Sequence, residues 1–271
     1  MANKIFNGLE SKAYTDKAFW NKEANTIFSN SWVFVGFAHE LKNVGDAIPI
    51  TVADKPLLLL KNTKNKIAAF HNVCSHRCLI LVDKPKNVKK IISCPYHAWA
   101  YGLDGKLLAS PHFGGTNNHK PKGFSQNSHG LKSVKIKVWH DWIFININNN
   151  ALEFEKYAAP LIKHLKDINL EKIKPVATLD FGKINTNWKF LIENFIEPYH
   201  VQFVHKKTTN QPLKDHYTIV DDICYGSGVD LKEEDASSGS LSVSSKYLSL
   251  FPNFIIGTYY PGQLGVYLNT P

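Results

Sequence analysis

Arginine is almost missing. Of the 32 basic residues in the 271-residue chain, Arg77 alone is an arginine and the others are lysines. Base and phosphate readout in nucleic-acid binders rests on the planar guanidinium and its bidentate hydrogen bonds. A nucleic-acid reader is therefore not expected despite the formal charge of +9. Long apolar runs are missing too: nothing approaches the roughly eighteen residues of a membrane-spanning helix. The N-terminus, MANKIFNGLESKAYTDKAFW, has neither the apolar core nor the cleavage signature of a signal peptide, so a cytoplasmic location is expected. Cysteine is sparse: Cys74, Cys78, Cys94 and Cys224 are too few for a disulfide scaffold. In a cytoplasmic chain metal ligation or catalysis is favoured over bridging. Acids are absent from one end, with no Asp or Glu between residues 236 and 271.

What is present suits a folded chain. Apolar residues make up 44%, and sixteen Phe, eleven Tyr and six Trp supply a core. Residues 15–30 read as a helix with Asp16 as N-cap and Phe19, Trp20, Ala24, Ile27 and Phe28 on one face. Residues 32–148 break into short β-rich runs, with Asp104-Gly105 as a hairpin turn. A Gly-, Asn- and His-rich loop interrupts them over 108–130. Helical patterning returns over 151–167, where Pro160 breaks or kinks it, and again over 186–205. From there to about 244 the chain reads as irregular and polar, and it ends in two β-like runs. No internal repeat is visible. The lysines of 84–90 read as a solvated loop tip, with docking of an acidic ferredoxin as the alternative.

Two short segments carry chemistry. HNVCSHRCLI holds Cys74 and His76, and ISCPYHAWAYGLDG holds Cys94 and His97, seventeen residues apart. Each half ends a β-like run and enters a turn, so two side-by-side loops present two thiols and two imidazoles. A structural zinc site is one reading, although zinc fingers pair Cys with Cys and His with His. One Cys and one His per half suits instead a [2Fe-2S] cluster with two Cys on one iron and two His on the other. Chance is the third reading.

CSHR and CPYHAWAYGLDGKL resemble the cluster-binding loops of Rieske proteins, C-x-H-R and C-P-Y-H-x-W. The resemblance implies that Cys74, His76, Cys94 and His97 ligate the cluster, that Trp99 packs against the second loop, and that Arg77 is the arginine of the oxygenase branch. Respiratory Rieske proteins clamp these loops with a disulfide. Here Tyr96 stands where the partner of Cys78 would lie, so no such bridge forms and Cys78 is expected to be a small buried residue.

The second constellation is NTNWKFLIENFIEPYHVQFVH, residues 185–205. His200 and His205 are five apart, about 140° around a regular helix. They meet on one ion only if the helix is irregular, and Pro198 supplies the reason. Alone, these are as readily surface histidines. Beside the first constellation, the segment resembles the start of the catalytic domain of Rieske non-haem iron oxygenases. The resemblance implies that His200 and His205 bind Fe(II), that Glu197 bridges to a neighbouring subunit's cluster, and that Asn194 lies close to the iron. Two His and one carboxylate on one face of Fe(II) leave positions open for O2 and substrate. The carboxylate itself is not found. The acids after His205 are Asp215, Asp221, Asp222, Asp230, Glu233, Glu234 and Asp235, and none has the expected context. The final LGVYLNTP reads as a strand cut off before its partner, and a C-terminally truncated chain is the expectation.

The expected fold class is α+β. An N-terminal helical lead-in (1–31) precedes an antiparallel β-sandwich Rieske domain (32–150) and the N-terminal part of a helix-grip, Bet v 1-like catalytic domain (151–271). The resemblance implies a mono- or dioxygenase component fed with NAD(P)H-derived electrons by a ferredoxin or reductase, homotrimeric in its full-length form. It would hydroxylate or demethylate an aromatic acid or a quaternary ammonium compound. Phe203, Tyr217, Tyr259 and Tyr260 are candidates for an aromatic cage around a methylammonium head, with core packing as their simpler role. A Rieske electron carrier, an inactive fragment and a zinc-stabilised binding module are the alternatives.

Overall fold

The structure, a computed structural model, describes residues 7–205, 207, 212–230, 244–259 and 263–271. Tyr260, Glu233, Glu234 and Asp235 lie outside the described residues. Two helices open the chain, α1 (Lys12–Thr15) and α2 (Lys17–Asn30). Asp16 caps α2, its carboxylate accepting from the amides of Ala18 at 2.5 Å and Phe19 at 3.0 Å.

Ten strands follow: β1 (Val33–Phe37), β2 (Asp46–Val52), β3 (Lys55–Lys61), β4 (Ile67–His71), β5 (Lys86–Asn87), β6 (Ile91–Ser93), β7 (Ala100–Gly102), β8 (Leu107–Ala109), β9 (Ser133–Trp139) and β10 (Trp142–Asn146). Seven form an antiparallel sheet in the order β1-β10-β9-β4-β3-β2-β5, and β6-β7-β8 form a smaller one. β3 explains the assembly. Its four consecutive leucines are all buried, so both faces of the strand are covered. Leu57 and Leu59 pack with Ala24 and Phe28 of α2. Leu58 and Leu60 pack with Phe70, Trp99 and Tyr101 under the smaller sheet. Each leucine contributes on the order of 2 kcal/mol. The turn between β7 and β8 closes at Gly105, whose φ of +82° and 2.5 Å approach of a would-be Cβ to the Phe70 ring leave no room for a side chain.

The second half opens with α3 (Phe154–Tyr157) and α4 (Ala159–His164), with Pro160 in the first turn of α4. Pro160 therefore starts a helix, because its missing N–H costs nothing there. After α5 (Trp188–Ile196) and α6 (Val201–Val204) come β11 (His216–Asp221), β12 (Cys224–Asp230), β13 (Ser244–Leu250), β14 (Phe254–Tyr259) and β15 (Gln263–Leu268). They form an antiparallel sheet in chain order. β11 and β12 correct the reading of that region as irregular. Gly226, Ser227 and Gly228 hide a strand from propensity, but full pairing from His216↔Val229 to Asp221↔Cys224 supplies it. One face of this sheet packs Leu248, Leu250, Phe254 and Ile256 against Phe34, Trp142 and Phe144 of the first half. Among the described residues no helix is long and apolar enough to cross a membrane.

Candidate functional site

The first site is built by two hairpin-like loops with the same internal bonding. In the loop after β4 the amide of Cys74 donates to Leu79 O and the amide of Cys78 to Cys74 O, both at 2.8 Å. In the loop between β6 and β7 the amide of Cys94 donates to Trp99 O at 2.8 Å and that of Ala98 to Cys94 O at 3.0 Å. Cys78 and Ala98 take the matching left-handed positions, with φ of +56° and +55°. The buried side chain of Asn72 closes the first loop, donating to Val82 O at 2.7 Å and accepting from Val82 N at 3.1 Å.

These loops bring Cys74, His76, Cys94 and His97 together. Both thiols are buried. They lie close enough for Cys74 to disfavour ionisation of Cys94, while the amides of Tyr96 and His97 favour the Cys94 thiolate. Burial nonetheless raises the Cys94 thiol above its ordinary value, as apolar surroundings penalise the thiolate. The two imidazoles sit 4.8 Å apart, centroid to centroid. Burial holds the His76 ring below its ordinary pKa, with His97 and Arg77 acting in the same direction.

Trp99 is buried with Cys94 of its own loop and reaches the other loop as well. It stacks on His76 of the other loop at 4.8 Å and 8°, and so ties the two loops together. Phe113 meets both rings edge-on. His97 is exposed and lies against Tyr96 at 3.8 Å. Cys78 corrects the expectation of burial: it is exposed, because the left-handed position sits at the tip of the loop. Arg77 beside it is exposed as well. Sequence reading missed Tyr101 and Ser75. The Tyr101 hydroxyl lies 3.1 Å from Cys74 Sγ and 2.9 Å from Ser75 Oγ, and accepts from the Ser75 amide at 3.1 Å. Ser75 Oγ in turn donates to His129 O at 2.5 Å. Tyr101 stands inside WAYGLDG, where only its two-residue spacing from Trp99 marks it.

The donors also say which group they fit. Among the described residues no three His, Cys, Asp or Glu side chains gather about a point that could hold one metal ion. A tetrahedral zinc site needs four donors at one point. Two buried thiols in one pair and two imidazoles in another suit a two-iron cluster.

The second site lies where α5 stops. Ile196 ends the helix, Glu197 is extended at φ −101° and ψ 138°, and the chain restarts at His200 beyond Pro198. The predicted single helix is thus two, as a proline within it requires. The break lets the rings of His200 and His205 approach to 5.3 Å. The Glu197 carboxylate accepts from the Tyr199 amide at 2.5 Å and faces Nδ1 of His200. Asn194 is exposed on α5. Among the described residues no three donor side chains gather here about a point that could hold one metal ion. Asp221 is held by Lys163 at 2.8 Å and His164 at 3.1 Å, and Asp230 accepts from Tyr217 at 2.8 Å. A facial triad asks for one donor more than two imidazoles, an acid.

α5, the helix ahead of the two histidines, is anchored from behind. Lys189 Nζ donates to both oxygens of Glu23 on α2, at 2.7 and 3.0 Å, and Trp188 Nε1 donates to Glu23 at 3.1 Å. Tyr14 stacks on Phe190 at 4.4 Å and donates to Glu193 at 2.8 Å.

Residues 31–120 match the Rieske [2Fe-2S] domain, and residues 162–271 match the ring hydroxylating alpha subunit catalytic domain. The glycine betaine monooxygenase oxygenase subunit of Chromohalobacter salexigens is 30% identical over 208 residues, covering 77% of this chain and 45% of that one. The 2-aminobenzenesulfonate 2,3-dioxygenase subunit alpha of an Alcaligenes species is 28% identical over 212 residues, covering 77% and 53%. The chain spans about half the length of these relatives. Among solved structures, the quaternary ammonium Rieske monooxygenase CntA shares the fold, with a TM-score of 0.82 at 21% identity, over 97% of this chain and 71% of that one.

Proposed function

Because the chain belongs to the Rieske oxygenase alpha-subunit family, with a Rieske [2Fe-2S] domain ahead of ring-hydroxylating catalytic sequence, we propose that it serves an oxygenase that hydroxylates or demethylates a small organic compound. Cys74 and Cys94 hold one iron of the cluster and His76 and His97 the other. His200 and His205 are two of the ligands of a mononuclear Fe(II), and Glu197 is the acid that links the two centres across a subunit boundary. When bound, the cluster supplies electrons singly and the mononuclear iron offers open positions to O2 and substrate.

The chain's own residues do the following. The Tyr96 and His97 amides stabilise negative charge on the Cys94 sulfur. Trp99 and Phe113 keep water from the His76 side of the cluster. His97 lies at the surface, where an electron can cross to a neighbour. Glu197 accepts the Nδ1 proton of His200, which fixes the tautomer and leaves Nε2 as the metal donor. Asn194 lines the approach to the same site. Electrons come from NAD(P)H through a ferredoxin or reductase, and the protein assembles as a homotrimer.

One observation carries this reading: two loops of equal bonding pair the thiols with each other and the imidazoles with each other. Iron and sulfide analysis of variants tests it. Cys74→Ser loses the cluster iron and its sulfide together. His200→Ala keeps both and loses only the additional Fe(II). Retention of sulfide in Cys74→Ser contradicts the ligand assignment.

A further inference from the structure

The loop after β8 is held together by two imidazoles used as acceptors. The amide of His112 donates to Nδ1 of His119 at 2.9 Å, and the amide of Asn117 donates to Nδ1 of His112 at 2.9 Å. An imidazole that accepts at Nδ1 is neutral and carries its proton on Nε2. Around these two bonds the backbone closes on itself. The Gly115 amide donates to His112 O at 2.9 Å, the Gly114 amide to Asn118 O at 2.8 Å, and Ser110 Oγ to His119 O at 2.9 Å. The closure works against the backbone, because His112 and Asn117 sit at left-handed φ, +55° and +63°, a region disfavoured for residues that carry a Cβ. Phe113 stands on this loop. Its ring meets His76 at 5.6 Å and 88° and Trp99 at 5.1 Å and 84°, and rests on Phe124 at 4.6 Å. Trp99 is buried beneath it and Phe113 is exposed, so Phe113 is the outer cover of the stack that joins the two cluster loops.

No carboxylate steadies a charged form of either histidine. Residues 105–140 contain no Asp or Glu. His39, His140, His164 and His200 each pair with a carboxylate, whereas among the described residues His112 and His119 do not. The neighbouring charges are cationic. Lys120 lines one surface cleft with His119, and Lys122 follows in the chain. Lys106, in the turn between β7 and β8, is paired with Asp104 at 3.3 Å. The elements packed on the loop bring two more imidazoles, His76 through Phe113 and His129 through Phe124. The His112 and His119 rings lie 5.0 Å apart, so two imidazoliums there would also repel each other.

We propose that residues 110–119 form a proton-operated lid over the His76 face of the cluster site, which neutral His112 and His119 hold shut and which their protonation opens. A proton on Nδ1 removes the lone pair that the facing amide needs, so each imidazolium belongs to the open form. Closure is therefore fully stable above the pKa of a free imidazole and is lost as pH falls through it. With that pKa at about 6.5, the open fraction rises about tenfold for one histidine between pH 7.5 and about 5.5, and about a hundredfold for both. The lid itself is made by the chain's own hydrogen bonds, and its effect on a cluster rests on the function proposed above.

The test is hydrogen exchange of the full chain, read by mass spectrometry as protection relative to intrinsic exchange at each pH. Protection of 112–119 should fall about a hundredfold from pH 7.5 to about 5.5, while the amides of β3 keep theirs. His112→Asn/His119→Asn sets an amide oxygen where each Nδ1 stood, so it keeps both acceptors and cannot take the proton. Its protection should not change with pH, and each single variant should fall about tenfold. Loss of the cluster's visible absorption to a chelator is followed in the same samples. It should be faster at low pH in the parent than in the double variant, and faster at both pH values in Phe113→Ala. Protection of 112–119 that is unchanged with pH in the parent, that falls equally in the double variant, or that is missing from the double variant at pH 7.5 overturns the lid. If the lid opens as expected in a protein without the cluster's absorption, the lid stands and the function reading fails.

Discussion

Glu23 and Lys189 allow a sharp test of how α5 is held. Glu23 is 5% exposed and Lys189 7%, and they meet through two hydrogen bonds at 2.7 and 3.0 Å. Removing the carboxylate in Glu23→Ala strands a buried ammonium, which typically costs 3–5 kcal/mol. The Lys189 ammonium keeps some compensation. It lies 5.4 Å from the Tyr14 ring, 5.6 Å from Phe19 and 5.1 Å from Trp188, and ring faces at this range offset about 1 kcal/mol. The expected loss is therefore about 3 kcal/mol. Replacing both partners in Glu23→Leu/Lys189→Met removes the charges and keeps the volume, and should cost about 1–2 kcal/mol, chiefly for the Trp188 Nε1 donor left without its acceptor. Urea unfolding followed by tryptophan fluorescence reads both, with Trp188 inside the contact as the reporter. A single variant as stable as the parent, or a double variant as unstable as the single, would refute the reasoning.

Three further outcomes follow from burial and charge. Cys78 is the one exposed cysteine, while Cys74, Cys94 and Cys224 are buried and burial pushes the Cys224 thiol up to about 12; a thiol reagent should therefore label one site in the native protein, and Cys78→Ser should abolish it. Burial, with Lys132 and Lys55, holds the His71 imidazole below its ordinary pKa. The unfolded chain therefore takes up the proton first, and stability should fall as pH drops below about 6.5; His71→Gln should flatten that slope in unfolding midpoints measured from pH 7.5 to about 5.5. Trp99 is 1% exposed and stacked on His76, so Trp99→Ala should cost about 3–5 kcal/mol and bleach the cluster faster in air; unchanged bleaching would show that the stack does not shield it.

Legibility in the sequence tracked how local each feature is. The cluster loops could be read because Cys74 and His76, like Cys94 and His97, sit within one turn whose bonds close inside the loop. The break at Pro198 was legible for the same reason, since a proline acts on its own helix. Features that depend on distant partners were not. Cys78 was expected inside, yet the left-handed loop tip turns it out. β11 and β12 were hidden by Gly226, Ser227 and Gly228, which form a strand only because both neighbours pair with them. Of the foreseen cage residues, Tyr259 lies 5.7 Å from Tyr247, centroid to centroid. Phe203 is 58% exposed and Tyr217 38% exposed. That Phe195 meets Tyr247 and Tyr267 could not be read from the sequence, because cross-strand register and helix placement decide which rings meet.

Electron–nuclear double resonance on the reduced full chain tests the central claim most directly. A cluster held by Cys74 and Cys94 on one iron and His76 and His97 on the other must show two strongly coupled nitrogens. The His97→Cys variant should show one fewer. A reduced cluster with no strongly coupled nitrogen, or a colourless protein that carries zinc and no sulfide, would contradict it.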